Sequence, residues 1–151
     1  NRIISVTEFD QEMLKLAFER SQKSSDWWRQ VGAVAVRDGQ VLAVAHNHHL
    51  PSPHTPYVNG DPRNAFFRGV NIELGTAQHA EKAIICEAAR RRDLYLDGAW
   101  LYVSTFPCPP CAKQVVEAGF RRCYYSSGYA MLDGESILKE CDVEVVYVPL
   151  Q

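Results

Sequence analysis

The sequence predicts an α/β fold, on three observations. The second half of the chain alternates strand-like apolar runs with helical segments, which calls for crossover connections and parallel pairing. In the first half two β-rich runs, Gln30 to Val36 and Gln40 to Ala45, flank Arg37-Asp38-Gly39, and Asp-Gly between such runs is a hairpin signal. The length of 151 residues and the 46% apolar content suit one soluble domain that buries roughly two-thirds of the surface its unfolded chain exposes.

The elements follow in order. Thr7 to Arg20 places Phe9, Met13, Leu14, Leu16, Ala17 and Phe18 at approximately helical spacing, with Thr7 as the N-cap. The hairpin comes next. Residues 46–76 then form a long loop or insert rich in Pro, Gly, Asn and His, where Asp61-Pro62 starts a short helix through Phe67. Ala77 to Arg92 reads as a helix whose closing Arg90-Arg91-Arg92 suits the negative end of the macrodipole. Ala99 to Thr105 is a buried strand. Pro109 to Ala118 is a helix, with proline in its first turn and Gly119 as its stop. Arg122 to Ser126 is a strand, Tyr129 to Glu140 a helix and Val143 to Val148 a last strand. No internal repeat, low-complexity tract or second domain is visible, so residues 1–151 are expected to form a single domain.

Composition narrows the function classes. A net charge of −2 argues against a general polyanion-binding surface, while leaving a local basic patch open. No apolar run approaches the ~20 residues that span a bilayer, and no charged stretch followed by an apolar one opens the sequence as a secretion signal would. Membrane partners are therefore not expected. The five cysteines are an odd count, which points to free thiols in a reducing, cytoplasmic compartment. Cys86, Cys123 and Cys141 stand among apolar neighbours and read as small core residues.

Chemistry concentrates in His79-Ala80-Glu81 and Pro107-Cys108-Pro109-Pro110-Cys111. Cys108 and Cys111 sit between a strand and a helix, and C-x-x-C spacing lets both sulfurs face one ion from a single helical turn. The positive helix end favours thiolates there. His79 adds an imidazole. Three protein ligands leave tetrahedral zinc with an open fourth position, the catalytic arrangement, in which bound water ionises near neutral pH. Glu81 is the candidate proton shuttle. Residues two apart on a helix point nearly opposite ways, so both side chains reach one ion only from the helix entrance. Two other readings stand beside this one: a thioredoxin-like dithiol and a structural or inactive zinc site.

The chain resembles the cytidine and deoxycytidylate deaminase superfamily along nearly its whole length, and most closely the deoxycytidylate branch. The resemblance rests on Val31-Gly32-Ala33-Val34, Asn47, His79-Ala80-Glu81, Ala88-Ala89-Arg90, Leu101-Tyr102-Val103-Ser104, Pro107 through Lys113, Ala118-Gly119 and Tyr129. The H-x-E and P-C-x-x-C pair is the recognised signature of zinc nucleobase deaminases. The resemblance implies a three-layer α/β/α fold with a five-stranded mixed sheet. It implies zinc on His79, Cys108 and Cys111, with Glu81 as the catalytic carboxylate, and a homo-oligomer. It also implies substrate contacts from Asn47 to the sugar, from Ala80, and from Arg90 and Tyr129 near the phosphate or base. Ala83 and His48 replace the family's usual Asn and Gly, and the region that usually bears a second zinc has no cysteine.

Arg63 and Arg68 are further substrate-binding candidates, because a guanidinium fork matches phosphate geometry; plain solvated charge is the alternative. His46, His48, His49 and His54 crowd together and read as a second metal site, as solvated loop residues or as a stacking partner for substrate. Trp27 and Trp28 read as core, interface or base-stacking residues. The leading expectation is zinc-dependent deamination of cytosine in a free nucleotide, dCMP to dUMP and ammonia. Deamination of a polynucleotide is the first rival, and the near-neutral charge argues against it. Deamination of another small heterocycle such as guanine, and a non-catalytic zinc-stabilised interaction domain, are the others.

Overall fold

A computed structural model describes residues 3–26, 29–50, 52, 77–128 and 132–150. The strands are β1 (Ile3–Ile4), β2 (Gly32–Arg37), β3 (Gln40–His46), β4 (His48–His49), β5 (Ala77–Gln78), β6 (Trp100–Thr105), β7 (Arg122–Ser127) and β8 (Glu144–Tyr147). The helices are α1 (Glu8–Ser21), α2 (Ala80–Arg90), α3 (Pro109–Glu117) and α4 (Leu132–Glu140). None is long and apolar enough to cross a membrane.

The main sheet is mixed and runs β1-β8-β7-β6-β2-β3. β1, β8, β7 and β6 are mutually parallel, while β6–β2 and β2–β3 are antiparallel. The β2–β3 hairpin turns at Asp38 (φ 50°) and Gly39 (φ 77°). Two successive left-handed residues are what a tight hairpin of the favoured twist requires, hence Asp-Gly. The sheet holds six strands, not five. The sixth is β1, a two-residue edge held by pairing Ile3 with Val146 and Ile4 with Tyr147, a non-local contact that no local periodicity announces.

The core lies in two layers. Leu14 and Ala17 of α1 pack on Val34, Val36, Tyr102, Tyr124 and Val146 on one face of the sheet. Ile84 of α2, Val115 of α3 and Leu138 of α4 pack on Ala33, Ala35, Leu101, Val103 and Cys123 on the other. This is the expected three-layer arrangement. Thr7 caps α1, its side chain accepting from Asp10 N at 3.2 Å. Gly32 lets α1 approach β2: a Cβ there would lie 1.8 Å from Ala17 O. α3 ends at Gly119 (φ 89°). Of the three cysteines expected in the core only Cys123 is buried; Cys86 and Cys141 are exposed. Apolar neighbours in sequence do not determine which face of a helix, or which side of a turn, a residue occupies.

Candidate active site

The site is made where two helices begin. His79 is the N-cap of α2 (φ −72°, ψ 151°) and Cys108 the N-cap of α3 (φ −68°, ψ 162°). An N-cap side chain commonly turns back to accept from the first turn; neither does so here. The two reach past their helix ends toward one another. His79 Nδ1 lies 3.1 Å from Cys111 Sγ and 3.5 Å from Cys108 Sγ. Pro109 sits in the first turn of α3, where its fixed φ is already helical and its missing N–H costs nothing. The turn it starts brings Cys111 back under Cys108.

Two extended segments deliver these caps. Cys108 follows the C-terminal end of β6, the end at which parallel strands leave a crevice for ligands. His79 follows β5, which pairs antiparallel with β4 (His48 with Gln78, His49 with Ala77). That ladder holds residues 77 and 78 extended, so α2 begins at Ala80 rather than at Ala77. It also stops at Arg90, short of the expected Arg92.

The ligand atoms of His79, Cys108 and Cys111 all lie within 4.8 Å of one another, and no other such group occurs among the described residues. Tetrahedral zinc with standard bond lengths holds a nitrogen and a sulfur ligand about 3.6 Å apart. The observed separations are close to this, and one imidazole with two thiols is a zinc-type donor set. The residues fit the metal.

Electrostatics support the same use. The thiol of Cys111 and the His79 imidazole hold Cys108 far below the ordinary thiol range, and Cys111 is pushed up in turn. The bond to Cys108 raises His79, against burial. Glu81, second residue of α2, is only 4% exposed. Burial pushes its carboxyl above the usual range; its own backbone N–H and the nearby His79 oppose this by less.

The remaining candidates separate. Ala80 is fully buried between His79 and Glu81. Asn47 is buried where β3 passes into β4, at the end of the β4–β5 ladder that leads into His79. Arg90 is exposed in the last turn of α2, about 14 Å along the axis from Glu81 at helical rise, so the fold does not bring it to the cluster. Arg63, Arg68 and Tyr129, like Trp27, Trp28 and His54, lie outside the described residues. Of the crowded histidines, His46 Nδ1 accepts from Arg20 Nε at 2.9 Å, and His48 Nδ1 contacts the His46 carbonyl at 3.2 Å. His49 is fully buried with Nε2 3.9 Å from Asp26 Oδ2. Asp26 escaped the sequence reading; a lone acid beside two tryptophans carries no local signal of burial.

Comparison with known proteins gives a consistent result. The family described as "Cytidine and deoxycytidylate deaminase zinc-binding region" matches residues 7–127. The deoxycytidylate deaminase of Saccharomyces cerevisiae is 34% identical over 140 residues, covering 91% of this chain and 44% of the yeast protein. That of Enterobacteria phage T2 is 26% identical over 175 residues, covering 91% of this chain and 90% of the phage protein. The dCMP deaminase from the cyanophage S-TIM5, solved in complex with dCMP and dUMP, superposes with a TM-score of 0.73 at 27% identity, over 95% of this chain and 98% of that one. The chain thus spans less than half of the yeast relative and nearly all of the phage ones.

Proposed function

The chain belongs to the cytidine and deoxycytidylate deaminase family, and from that premise we propose that it converts dCMP and water into dUMP and ammonia. One observation carries the proposal: three zinc-type ligands from two helix entrances converge beside a buried carboxylate. The similarity to dCMP deaminases in sequence and fold supports the choice of a free nucleotide as substrate.

In this reading His79, Cys108 and Cys111 hold zinc, which supplies a Lewis-acid centre that makes water acidic near neutral pH. Glu81 moves the protons. Its carboxylate takes one from the attacking water and gives it to ring nitrogen N3 as oxygen adds to C4. It then takes the remaining hydroxyl proton and gives it to the amino nitrogen, the C4–N4 bond breaks and ammonia leaves. A carboxyl raised by burial is suited to both halves of this shuttle, because an efficient acid–base group has a pKa near working pH. Two thiolates leave the metal centre close to neutral, which makes a nearby proton acceptor more valuable.

Asn47 is assigned to the sugar and Ala80 to a further substrate contact. Arg63, Arg68, Arg90 and Tyr129 are the proposed contacts for the phosphate or base. A homo-oligomer belongs to the same proposal and is tested by sedimentation. The activity is tested by ammonia release from zinc-loaded protein over a panel of bases, nucleosides, nucleotides and oligonucleotides. Release from dCMP well above the others supports the reading. Release chiefly from an oligonucleotide or from guanine, or from nothing, overturns it.

A further inference from the structure

Cys108 is flanked by Pro107 and Pro109, neither of which has an N–H to bond to a neighbouring segment. The proline that follows confines Cys108 to extended backbone, and its φ of −68° and ψ of 162° lie there. The loop is therefore stiff, while its seat depends on packing rather than on a hydrogen-bond ladder. Phe106 ties one end to β7: its N–H donates to Ser127 O at 3.1 Å, and its ring meets Tyr125 edge-on with centroids 4.9 Å apart. Pro107 is fully buried. α4 lies on this loop at Gly134. A Cβ there would stand 3.2 Å from Pro107 O, 3.6 Å from Phe106 Cε1 and 3.8 Å from Pro109 N, atoms that span both sides of Cys108. Gly134 is the third residue of α4 and has no positive φ, so no turn calls for glycine. Inside a helix glycine is less favourable than alanine, and the close approach to the loop accounts for its presence.

We infer that Gly134 is a positioning residue for the metal site: having no side chain, it seats α4 on the Phe106–Pro109 backbone and so fixes where Cys108 presents its sulfur. The inference rests on the reading of His79, Cys108 and Cys111 as zinc ligands. A side chain at position 134 presses on Pro107 O, one peptide from Cys108, and forces a shift of a few tenths of an ångström. Metal–ligand distances hold within about 0.2 Å, so a shift of that size weakens the site. The effect is reciprocal: if the seat of α4 favours zinc, zinc favours the seat by the same factor.

The test has two readouts. The first is zinc affinity, measured by chelator titration in wild type, Gly134→Ala, Gly134→Val and Tyr102→Phe. Affinity is expected to fall at least about tenfold in Gly134→Ala, as for loss of an outer-shell support, and further in Gly134→Val. Tyr102→Phe loosens the fold from the opposite face of the sheet and is expected to keep wild-type affinity. An equal loss in Tyr102→Phe, or wild-type affinity in a folded Gly134→Ala protein, overturns the inference. The second readout is amide hydrogen exchange of α4 in wild type, with and without one equivalent of zinc. A gain in protection of at least about tenfold supports the seat, and no gain overturns it, including where Gly134→Ala fails to fold. Wild-type protein that binds no zinc in the titration overturns the metal reading itself, and this inference with it.

Discussion

His79 Nδ1 lies 3.1 Å from Cys111 Sγ, although 32 residues separate the two in the chain. Neither atom is brought there by its own helix alone. The β4–β5 ladder sets where α2 starts, and β6 of the main sheet sets where α3 starts, so the contact depends on two separate sheets. Loss of either partner should therefore act on metal affinity before it acts on the fold. His79→Ala and Cys111→Ser are expected to weaken zinc binding by more than roughly 100-fold, beyond the 10–100-fold typical of an outer-shell partner. Titration with a chromophoric chelator measures this, and wild-type affinity in either variant would remove the residue from the ligand set.

Glu81→Gln separates chemistry from metal binding. It is expected to keep zinc and to lower ammonia release from dCMP by roughly 10²–10⁴-fold, the usual worth of a positioned proton-transfer group. Turnover of the zinc-loaded variant at the wild-type rate would take the shuttle role away from Glu81.

The same substitution should stabilise the metal-free protein at neutral pH. Burial raises Glu81 above its ordinary 4.5, so over the interval between the two values the folded state binds more protons than the unfolded one. Stability from this group is present below the ordinary value and is lost as pH rises through the folded value. Urea midpoints of wild type and Glu81→Gln in chelator should therefore nearly coincide at pH 4 and separate toward pH 8, with the variant the more stable. A gap that closes with rising pH would contradict the raised carboxyl.

How far the site was legible in sequence follows from the range of the interactions. The turn at Asp38-Gly39, the helix start at Pro109 and the stop at Gly119 are local backbone effects, so they could be read residue by residue. Placing His79 and Glu81 at a helix entrance was legible too, because two side chains two positions apart cannot converge inside a helix. The true start at Ala80 was hidden, since it depends on pairing with His48 and His49. Edge strand β1, the exposure of Cys86 and Cys141, and the Asp26–His49 pair were hidden for the same reason: each is decided by which distant segment arrives.

Gly32 should tolerate no side chain. A Cβ would fall 1.8 Å from Ala17 O, and the backbone of α1 cannot yield as a flexible side chain would. Gly32→Ala is expected to cost ~3 kcal/mol, the upper end for overpacking, or to prevent folding. A urea midpoint within error of wild type would show that α1 does not rest on β2 as described.

Tyr102 donates to Asp10 Oδ1 at 2.6 Å beneath α1, while Ser5 Oγ donates to the other carboxylate oxygen at 2.5 Å. Removing the phenol leaves a buried carboxylate oxygen unpaired, so Tyr102→Phe should cost ~2 kcal/mol. Because this network lies on the α1 face of the sheet and the ligands on the other, zinc content should not change. Zinc loss in a folded Tyr102→Phe protein would show coupling across the sheet that the packing does not provide.

The central claim is that one imidazole and two sulfurs hold a single zinc with its fourth corner open to solvent. X-ray absorption at the zinc edge tests it most directly. The account predicts one equivalent of zinc with two sulfurs at about 2.3 Å and two nitrogen or oxygen ligands at about 2.0–2.1 Å, one of them exchangeable. Three or four sulfurs, a closed set of protein ligands, or no stoichiometric zinc at all would contradict it.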